Sequence, residues 1–350
     1  MPIKVLIIDD SALMRALLTE IIGGAADLDV VGAAPDPIAA REMIKALNPD
    51  VLTLDIEMPK MNGLEFLDRL MRLRPMPVIM ISSLTKSGSE VTMQALEMGA
   101  VDFIAKPRME NVSLLESYAD EIRDKIRAAY SAPMRAVTRV APASSLARAA
   151  GAPLSRRVLE EKIIAIGAST GGTEAIKAVL KDLPQEVPGI VMVQHMPESF
   201  TASFAARLDS LSRVTVIEAK GGERIQPGHA YLAPGHSHLL VRRSGAAYYT
   251  ELAQSEPVNR HRPSVDVLFR TIAQHARGNA IGVILTGMGK DGAQGMLEMR
   301  QAGAWNIGQD QDSCVVYGMP REAAQVGALD DVAPLERVAD RLMQRLRGSV

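Results

Sequence analysis

Residues 5–10 read VLIIDD, a short apolar run that ends in two adjacent carboxylates. Similar runs recur along the first part of the chain, at 29-DVVGAA-34, 51-VLTLDIEMP-59, 78-VIMISS-83 and 101-VDFIAKP-107. A polar turn and a segment with the apolar spacing of a helix separate these runs. The first, third and fourth runs are apolar throughout, as in parallel strands that helices cover on both faces. The pattern predicts a doubly wound α/β domain with a parallel sheet over residues 3–125.

The composition sets the class of protein. The chain has 350 residues, 47% of them hydrophobic and 23% charged, which suits two compact globular domains at roughly 100 to 200 residues each. No stretch approaches the roughly 18 uncharged apolar residues of a membrane span. The single cysteine, Cys314, excludes an internal disulfide and a zinc cluster, and the net charge of −2 provides no general attraction for nucleic acid. The amino terminus lacks the pattern of a secretory signal, so we expect a cytoplasmic protein.

Residues 126–158 have a different composition, rich in Ala, Pro, Ser and Arg. From Lys125 to Leu159 the chain has no acidic residue and seven Lys or Arg residues. Prolines interrupt any long helix there, and few large apolar side chains are available for burial. This segment is predicted to be a linker. Its positive charge is either solvated or docks on an acidic partner.

A second set of strand and helix signals fills residues 159–350. Apolar runs at 162-KIIAIGAST-170, 190-IVMVQHMP-197 and 280-AIGVILTGMGKDG-292 predict strands. Helical spacing appears at 173–180, 199–208, 293–303 and 335–346. Residues 220–241 are rich in Gly and Pro and predict short strands and turns. The pattern indicates a second, Rossmann-like α/β domain with a parallel sheet and some antiparallel strands.

The carboxyl ends of parallel strands are where doubly wound sheets bind ligands. In the first domain these ends collect carboxylates, hydroxyls and one ammonium: Asp9, Asp10, Asp55, Ser82, Ser83 and Lys106. Three converging carboxylates repel one another, and Mg²⁺, which prefers oxygen ligands, would relieve that repulsion. The hydroxyls and the ammonium could hold an anion beside the metal. The set therefore predicts phosphoryl transfer onto a carboxylate.

The second domain contains 167-GASTG-171, which fits the G-x-S-x-G pattern and lies between a predicted strand and a predicted helix. A tight turn there would expose the hydroxyl of Ser169, and the start of the helix would offer backbone N–H groups to an anion. The turn could instead bind phosphate or simply pack. A dinucleotide-binding fingerprint is disfavoured because Ser169 replaces its central glycine.

A nucleophilic serine needs a general base. His195 ends the strand after the one that carries Ser169, so adjacent parallel strands would place both residues on one rim. His261, within 259-NRHRPSVD-266, is the strongest competitor. The histidines of the turn-rich section, which are structural or line the cleft, are His229, His236 and His238.

A carboxylate should orient that histidine and stabilise its protonated form. Asp291 lies in the glycine-rich 286-TGMGKDG-292, after an apolar strand and on the same predicted rim. Asp266 is the second candidate. The chain order Ser, His, Asp differs from that of α/β-hydrolases, so that fold is not expected.

The first domain resembles the receiver domain of two-component response regulators, which has a flavodoxin-like fold. The likeness rests on the acidic pair at 9–10, 55-DIEMPKMNG-63, the serine after the fourth strand and 106-KP-107. The resemblance implies that Asp55 accepts the phosphoryl group. It also implies a set of supporting residues: Asp10, Asp55 and the backbone carbonyl of Glu57 for Mg²⁺, Asp9 through water, Ser82 as the hydroxyl, Phe103 as the aromatic switch, and Lys106.

The whole chain is similar to the CheB family of chemotaxis methylesterases. Beyond the receiver and linker, the likeness rests on GASTGG at 167–172, QHMP at 194–197, LAPG at 232–235, NRHRPSVD at 259–266 and TGMGKDG at 286–292. It implies a triad of Ser169, His195 and Asp291, a backbone N–H near Met288 for the oxyanion, and no metal in the esterase site.

The functional implications follow from the same family. They are phosphorylation-regulated hydrolysis of glutamate methyl esters on methyl-accepting chemotaxis receptors with release of methanol, deamidation of receptor glutamines, and a chemotaxis histidine kinase as phosphodonor.

Two other classes of protein are alternatives. A receiver joined to a DNA-binding module would show a basic recognition helix in a short helical domain. Residues 160–350 instead contain repeated apolar strands that end in glycine-rich turns. The second alternative is a dinucleotide-dependent oxidoreductase. The sequence argues against it, because Ser169 replaces the central glycine of the dinucleotide-binding fingerprint. We therefore expect no nucleic-acid partner.

Overall fold

The computed structural model describes residues 1–58, 62–107, 113–133 and 153–348. The chain divides into two compact units, Met1–Arg139 and Val140–Val350. Most of the predicted linker, residues 134–152, lies outside the described residues. No helix within the described ranges is long and apolar enough to cross a membrane.

The first unit is a five-stranded parallel sheet with the strand order β2-β1-β3-β4-β5. Its strands are β1 (Ile3–Ile8), β2 (Leu28–Ala34), β3 (Val51–Asp55), β4 (Val78–Ser82) and β5 (Asp102–Ala105). Its helices are α1 (Ala12–Gly23), α2 (Pro37–Leu47), α3 (Gly63–Leu73), α4 (Lys86–Glu97) and α5 (Ser113–Ser131). This arrangement confirms the predicted doubly wound fold.

Capping residues start the helices of this unit where the strands end. The Asp36 carboxylate accepts hydrogen bonds from the backbone N–H groups of Ile38 and Ala39, and Pro37 occupies the first helical turn of α2. Asn62 and Thr85 cap α3 and α4 in the same way. Every residue of β3 and β4 is buried, which is why their sequences are mostly apolar and do not alternate with polar residues.

The second unit has a seven-stranded parallel sheet with the order β14-β13-β12-β6-β7-β9-β8 and an antiparallel hairpin, β10-β11. Its strands are β6 (Ile163–Ala168), β7 (Gly189–Gln194), β8 (Thr215–Glu218), β9 (His229–Leu232), β10 (His238–Ser244), β11 (Ala247–Ala253), β12 (Ala280–Ile284), β13 (Trp305–Gln309) and β14 (Asp331–Ala333). Its α-helices are α6 (Arg156–Glu161), α7 (Gly172–Asp182), α8 (Glu198–Leu211), α9 (Val265–His275), α10 (Ala293–Gln301), α11 (Met319–Gln325) and α12 (Leu335–Arg347). The predicted mixture of a parallel sheet with some antiparallel strands is confirmed.

Several elements lie outside the predicted set. Strands β13 and β14 read WNIGQ and DVA, too short or too polar to stand out as apolar runs. Helix α9 follows directly on the NRHRPSVD motif, and its Phe269 and Ile272 are fully buried in the core. In the range predicted as linker, α5 continues to Ser131 and α6 begins at Arg156, capped by the Ser155 hydroxyl.

Helix α9 is central to the core of the second unit. Val265, Leu268 and Phe269 are buried together with residues of the sheet and of the β10-β11 hairpin. Burial of each such side chain contributes about 1.5 to 3 kcal/mol to stability. The packing brings the amino-terminal end of α9 beside the carboxyl ends of β6 and β12, where the candidate catalytic residues lie.

Candidate functional site

The acidic residues of the first unit meet at one edge of its sheet. Asp9 follows β1 and Asp55 ends β3, and these strands are neighbours with Ile8 opposite Leu54. Carboxylate oxygens of Asp9, Asp10 and Asp55 lie within 4.8 Å of one another. Asp9 and Asp55 are fully buried, whereas Asp10 is exposed.

Lys106 follows β5 and completes this acidic pocket. Its Nζ lies 2.8 Å from Asp55 Oδ1 and 3.8 Å from Asp9 Oδ2. Burial raises the pKa of Asp55 to about 6, and the hydrogen bond and charge of Lys106 oppose that rise only in part. Burial also raises the pKa of Asp9. Two buried carboxylates therefore share one ammonium, which leaves the pocket short of positive charge.

The oxygen atoms of the pocket fit a divalent cation. Within the described residues, Asp9 Oδ2 and Asp55 Oδ2 are buried and accept no hydrogen bond. Buried acceptors without a partner are costly, and hard cations such as Mg²⁺ bind carboxylate oxygens. The Glu57 backbone N–H, which donates to Asp55 Oδ1 at 3.3 Å, brings the segment after β3 against this carboxylate.

The predicted hydroxyl and aromatic residues of this unit, Ser82 and Phe103, lie on β4 and β5. Ser82 is buried, and its Oγ accepts a hydrogen bond from Thr92 Oγ1 at 2.7 Å and lies 3.3 Å from the Gly88 carbonyl. The neighbouring Ser83 donates to Glu57 Oε1 at 2.9 Å. Phe103 is buried, with only 3% of its surface exposed. In this conformation the start of α4 holds the Ser82 hydroxyl.

In the second unit, Ser169 occupies a tight turn between β6 and α7. Its backbone N–H donates to the Thr286 carbonyl at 3.0 Å, and its own carbonyl accepts from Gly172 N at 2.6 Å and Gln194 Nε2 at 2.9 Å. Gly171 has a φ of +76°, a left-handed conformation that glycine adopts without cost. Three hydrogen bonds, with Thr286, Gly172 and Gln194, thus hold the backbone of the serine turn.

His195 lies beside Ser169 because of the register of two neighbouring strands. Ala168 of β6 pairs with Gln194 of β7, and His195 N donates to the Ala168 carbonyl at 3.2 Å. The imidazole Nε2 lies 2.8 Å from Asp291 Oδ2, and both side chains are less than 8% exposed, at 7% and 2%. Since a carboxylate only accepts, Nε2 carries the proton. The other nitrogen, Nδ1, is buried and has no hydrogen-bond partner in the described part of the chain.

Asp291 lies at the amino-terminal end of α9. Val265 N donates to its Oδ2 at 2.6 Å, while Asn259 Nδ2 and Ser264 Oγ donate to its Oδ1 at 2.7 and 2.8 Å. Burial alone would raise the pKa of Asp291, but the hydrogen bonds from His195, Asn259 and Ser264 outweigh it and hold this pKa well below its usual range. The carboxylate therefore stays charged.

The two competing candidates take other places in the same site. Asp266 accepts from Asn259 Nδ2 and from Gly295 N, each at 2.7 Å, so its carboxylate holds α10 rather than the imidazole. His261 stacks on His195, with ring centroids 3.7 Å apart and planes 14° from parallel. Asp266 and His261 both lie in the candidate site. The carboxylate that contacts the His195 imidazole, however, is that of Asp291.

The three histidines of the turn-rich section have hydrogen-bond partners of their own. The ring of buried His238 accepts from Ser264 N at Nδ1 and lies 3.1 Å from the Glu256 carbonyl at Nε2. His229 Nδ1 lies 3.0 Å from the Pro227 carbonyl, and His236 Nδ1 lies 2.7 Å from Ser237 Oγ.

The loop that carries Met288 packs directly on the serine turn. A Cβ on Gly287 would lie 2.7 Å from Ser169 Cβ, so only glycine allows this approach. Gly287 N donates to the Val316 carbonyl at 3.1 Å, and Met319 N donates to the Gly287 carbonyl at 2.8 Å. Met288, the predicted oxyanion residue, is therefore attached to a fixed backbone next to Ser169.

Sequence reasoning missed three residues of the site. Gln194 holds the serine turn, while Asn259 and Ser264 bind Asp291. All three lie in QHMP and NRHRPSVD, the two motifs that also contain His195 and His261. The sequence shows that these side chains are polar. It does not show their hydrogen-bond partners, which lie far away along the chain.

Comparison with known families matches both units. The family model for the CheB methylesterase covers residues 164–342, and the model for the response regulator receiver domain covers residues 5–117. The chain belongs to the CheB methylesterase family. The methylesterase match occupies the region where the alternatives required a DNA-binding module or a dinucleotide-binding domain.

Relatives of this family are similar over nearly the full chain. A Nitrosomonas europaea protein named protein-glutamate methylesterase/protein-glutamine glutaminase is 63% identical over 99% of this chain and 97% of its own length. A Methylobacillus flagellatus protein of the same name is 62% identical over 100% of this chain and 98% of its own.

A solved structure supports the fold of the second unit. The crystal structure of the Thermotoga maritima CheB methylesterase catalytic domain is 40% identical, with a TM-score of 0.52, over 53% of this chain and 98% of that one.

Proposed function

We propose that this chain is a phosphorylation-regulated protein-glutamate methylesterase and protein-glutamine glutaminase whose triad is Ser169, His195 and Asp291. The observation that carries the proposal is the buried imidazole–carboxylate pair, His195 Nε2 to Asp291 Oδ2 at 2.8 Å, on the strand end next to the serine turn. The substrates are glutamate methyl esters and specific glutamines of methyl-accepting chemotaxis receptors.

The first half of the reaction uses the free nitrogen of the catalytic imidazole. His195 Nδ1 takes the proton of the Ser169 hydroxyl as its oxygen attacks the ester carbonyl. Backbone N–H groups near Ser169, including that of Met288, stabilise the oxyanion. The tetrahedral intermediate collapses, the proton passes from Nδ1 to the leaving oxygen, and methanol departs.

Water completes the reaction. His195 removes a proton from water, which attacks the acyl-enzyme and regenerates Ser169 and a receptor glutamate. A glutamine side chain follows the same steps with ammonia as the leaving group. Throughout, Asp291 keeps the proton of the imidazole on Nε2 and balances the charge that the ring gains.

The receiver supplies the regulation. Asp55 is the phosphoacceptor, with a chemotaxis histidine kinase as phosphodonor in the cytoplasm. Asp10, Asp55 and the Glu57 carbonyl would hold Mg²⁺, with Asp9 acting through water, and the bound metal would neutralise charge during phosphoryl transfer. Lys106, already 2.8 Å from Asp55, pairs with the new phosphoryl group, while Ser82 and Phe103 respond to it.

The test of this proposal is methanol release from methylated receptor membranes. The wild-type chain should release methanol, and Ser169→Ala should not, while both remain folded. Asp55→Asn is the matched control, since it alters the receiver and should leave basal hydrolysis intact. Normal methanol release by Ser169→Ala would contradict the proposal.

A further inference from the structure

Residues 258–261 form a tight turn with an unusual backbone. Val258 and His261 exchange two backbone hydrogen bonds, each 3.0 Å long. The two central residues, Asn259 and Arg260, have φ values of +53° and +68°. Asparagine tolerates this left-handed region, but arginine rarely adopts it. A strained turn of this kind persists where the surroundings hold it, and such turns cluster at functional sites.

The side chain of Asn259 holds the turn against two buried carboxylates. Its Nδ2 lies 2.7 Å from Asp291 Oδ1 and 2.7 Å from Asp266 Oδ2. These aspartates are 1% and 3% exposed. Like charges in such proximity repel, and the amide offers each carboxylate one of its two hydrogens. The turn is therefore attached to the carboxylate that orients His195.

The end of the turn places a second ring on the catalytic imidazole. His261 stacks on His195 at a centroid distance of 3.7 Å and an interplanar angle of 14°. One face of the His195 ring is thus covered. Titratable side chains therefore contact that ring at two places, Asp291 at Nε2 and His261 on the face.

Resting on the proposed function, we infer that the 258–261 turn positions the catalytic imidazole, with Asn259 fixing the carboxylate that His195 binds and His261 closing one face of its ring. One hydrogen bond to Asp291 leaves the imidazole free to tilt about that bond. The flat ring of His261 removes this freedom and keeps water from the covered face. Asn259 and His261 are positioning residues, since they act on the reaction through His195 and Asp291.

Three substitutions of His261 test this inference in the full chain. His261→Ala and His261→Leu remove the flat ring, the second with little loss of volume, while His261→Phe keeps a ring for stacking. Methanol release should show kcat lowered about 10-fold in the Ala and Leu variants, with KM changed less than about 2-fold, and largely restored in the Phe variant. His229→Ala is the matched control, because the side-chain contacts of His229 in the described structure are with its near neighbours Pro227 and Tyr231.

A proton NMR signal separates positioning from general structural support. The Nε2–H proton between His195 and Asp291 should give a resolved downfield resonance in the wild type, in His229→Ala and in His261→Phe. It should broaden by exchange with water in His261→Leu and in Asn259→Gly, which keeps the left-handed backbone but lacks the amide. Circular dichroism melting of each variant shows whether it is folded.

The outcomes distinguish this inference from the proposed function. Loss of activity in Ser169→Ala together with wild-type kcat and an unchanged resonance in His261→Leu would overturn the inference and leave the triad intact. Full activity in Ser169→Ala would overturn both. A Phe variant as impaired as the Leu variant would also overturn the role of ring stacking.

Discussion

At the scale of single residues, Asp291 has the largest set of partners in the candidate active site. It accepts hydrogen bonds from one imidazole, one amide, one hydroxyl and the first backbone N–H groups of α9. These donors explain its lowered pKa despite burial. Because the helix terminus and the imidazole share one carboxylate, the fold and the proposed reaction depend on the same group.

Replacing this carboxylate by an amide should therefore stop the reaction without removing its volume. In Asp291→Asn we expect kcat to fall by about 10⁴, because an amide cannot both accept from α9 and hold the proton of His195 on Nε2. Steady-state methanol release measures this change. Asp266→Asn is the comparison; a larger loss there than in Asp291→Asn would show that the wrong carboxylate had been assigned.

The pKa of Asp55 predicts a pH dependence of stability. Burial raises this pKa to about 6 in the folded chain, against roughly 3.9 when unfolded. The folded state thus binds the proton more tightly, and its contribution to stability is complete below about pH 4 and lost as the pH rises through 6.

Asp55→Asn should therefore match the wild type near pH 4 and be more stable than it at pH 7, in buffer that contains EDTA. Hydrogen exchange of the β1 and β3 amides, measured on the full chain, reports the stability of the receiver. Added Mg²⁺ at pH 7 should protect the wild type and not the variant. Equal protection of both proteins across the whole range would contradict this prediction.

At the scale of elements, strand β10 holds the loop that leads into α9. The ring of His238 accepts from Ser264 N at 3.1 Å and reaches the Glu256 carbonyl at 3.1 Å. A backbone N–H only donates and a carbonyl only accepts, so these partners require the neutral ring with its proton on Nε2. One buried side chain thus ties the two ends of the segment that carries Asn259 and His261.

Removing that ring should loosen the segment. For His238→Ala we expect a loss of about 1 to 3 kcal/mol in the free energy of unfolding, because buried backbone groups lose their partners. The Ser264 and Val265 amides should exchange faster with deuterium, and kcat should fall. Mass spectrometry of deuterium uptake checks this, with His229→Ala as control. Unchanged uptake at these amides would mean that His238 does not hold the loop.

The loop after β12 is set by a close approach of backbone to the serine turn. In Gly287→Ala the new Cβ would lie 2.4 Å from Met319 Sδ and 2.7 Å from Ser169 Cβ, closer than atoms tolerate. Displacement of the loop should lower kcat by about 10²-fold. Gly278→Ala, whose new Cβ would meet its nearest atom at 3.5 Å, should keep wild-type kcat. Similar kinetics for both variants would show that the approach does not matter for catalysis.

At the scale of the whole molecule, the proposed phosphoacceptor and the proposed nucleophile belong to different units. Asp55 lies in Met1–Arg139, and Ser169 lies in Val140–Val350. Any effect of phosphorylation on hydrolysis is therefore a coupling between two sites. The pocket around Asp55 is short of positive charge, so the added negative charge of a phosphoryl group would strongly change the balance of charge in the pocket.

Addition of a small phosphodonor with Mg²⁺ should raise methanol release by the full chain. Asp55→Asn should lose the increase and keep basal activity, because the proposed acceptor carboxylate is gone. Lys106→Ala should take up phosphate but show a smaller increase, since its ammonium pairs with the new anion. An equal increase in the wild type and in Asp55→Asn would point to another phosphorylation site.

Local sequence by itself determined the first sheet, the central strands of the second sheet, and the rims on which the sites lie. Fully buried strands need continuous apolar runs, and chemistry at strand ends needs polar residues directly after them, so VLIIDD, VLTLD and GASTG predict both element and location. Polar strands and helices without a local signal, such as β13 and α11, were not predictable, because packing rather than periodicity stabilises them.

Tertiary structure alone decided which side chains meet. Residues 195 and 291 are 96 positions apart, and Asn259 reaches Asp291 across 32 positions. His195 and His261 were both plausible bases in sequence. The parallel register of β6 and β7 places His195 beside Ser169, and the left-handed turn at 259–260 lays His261 on its face. Such contacts come from strand order and helix packing, which no local periodicity of the chain encodes.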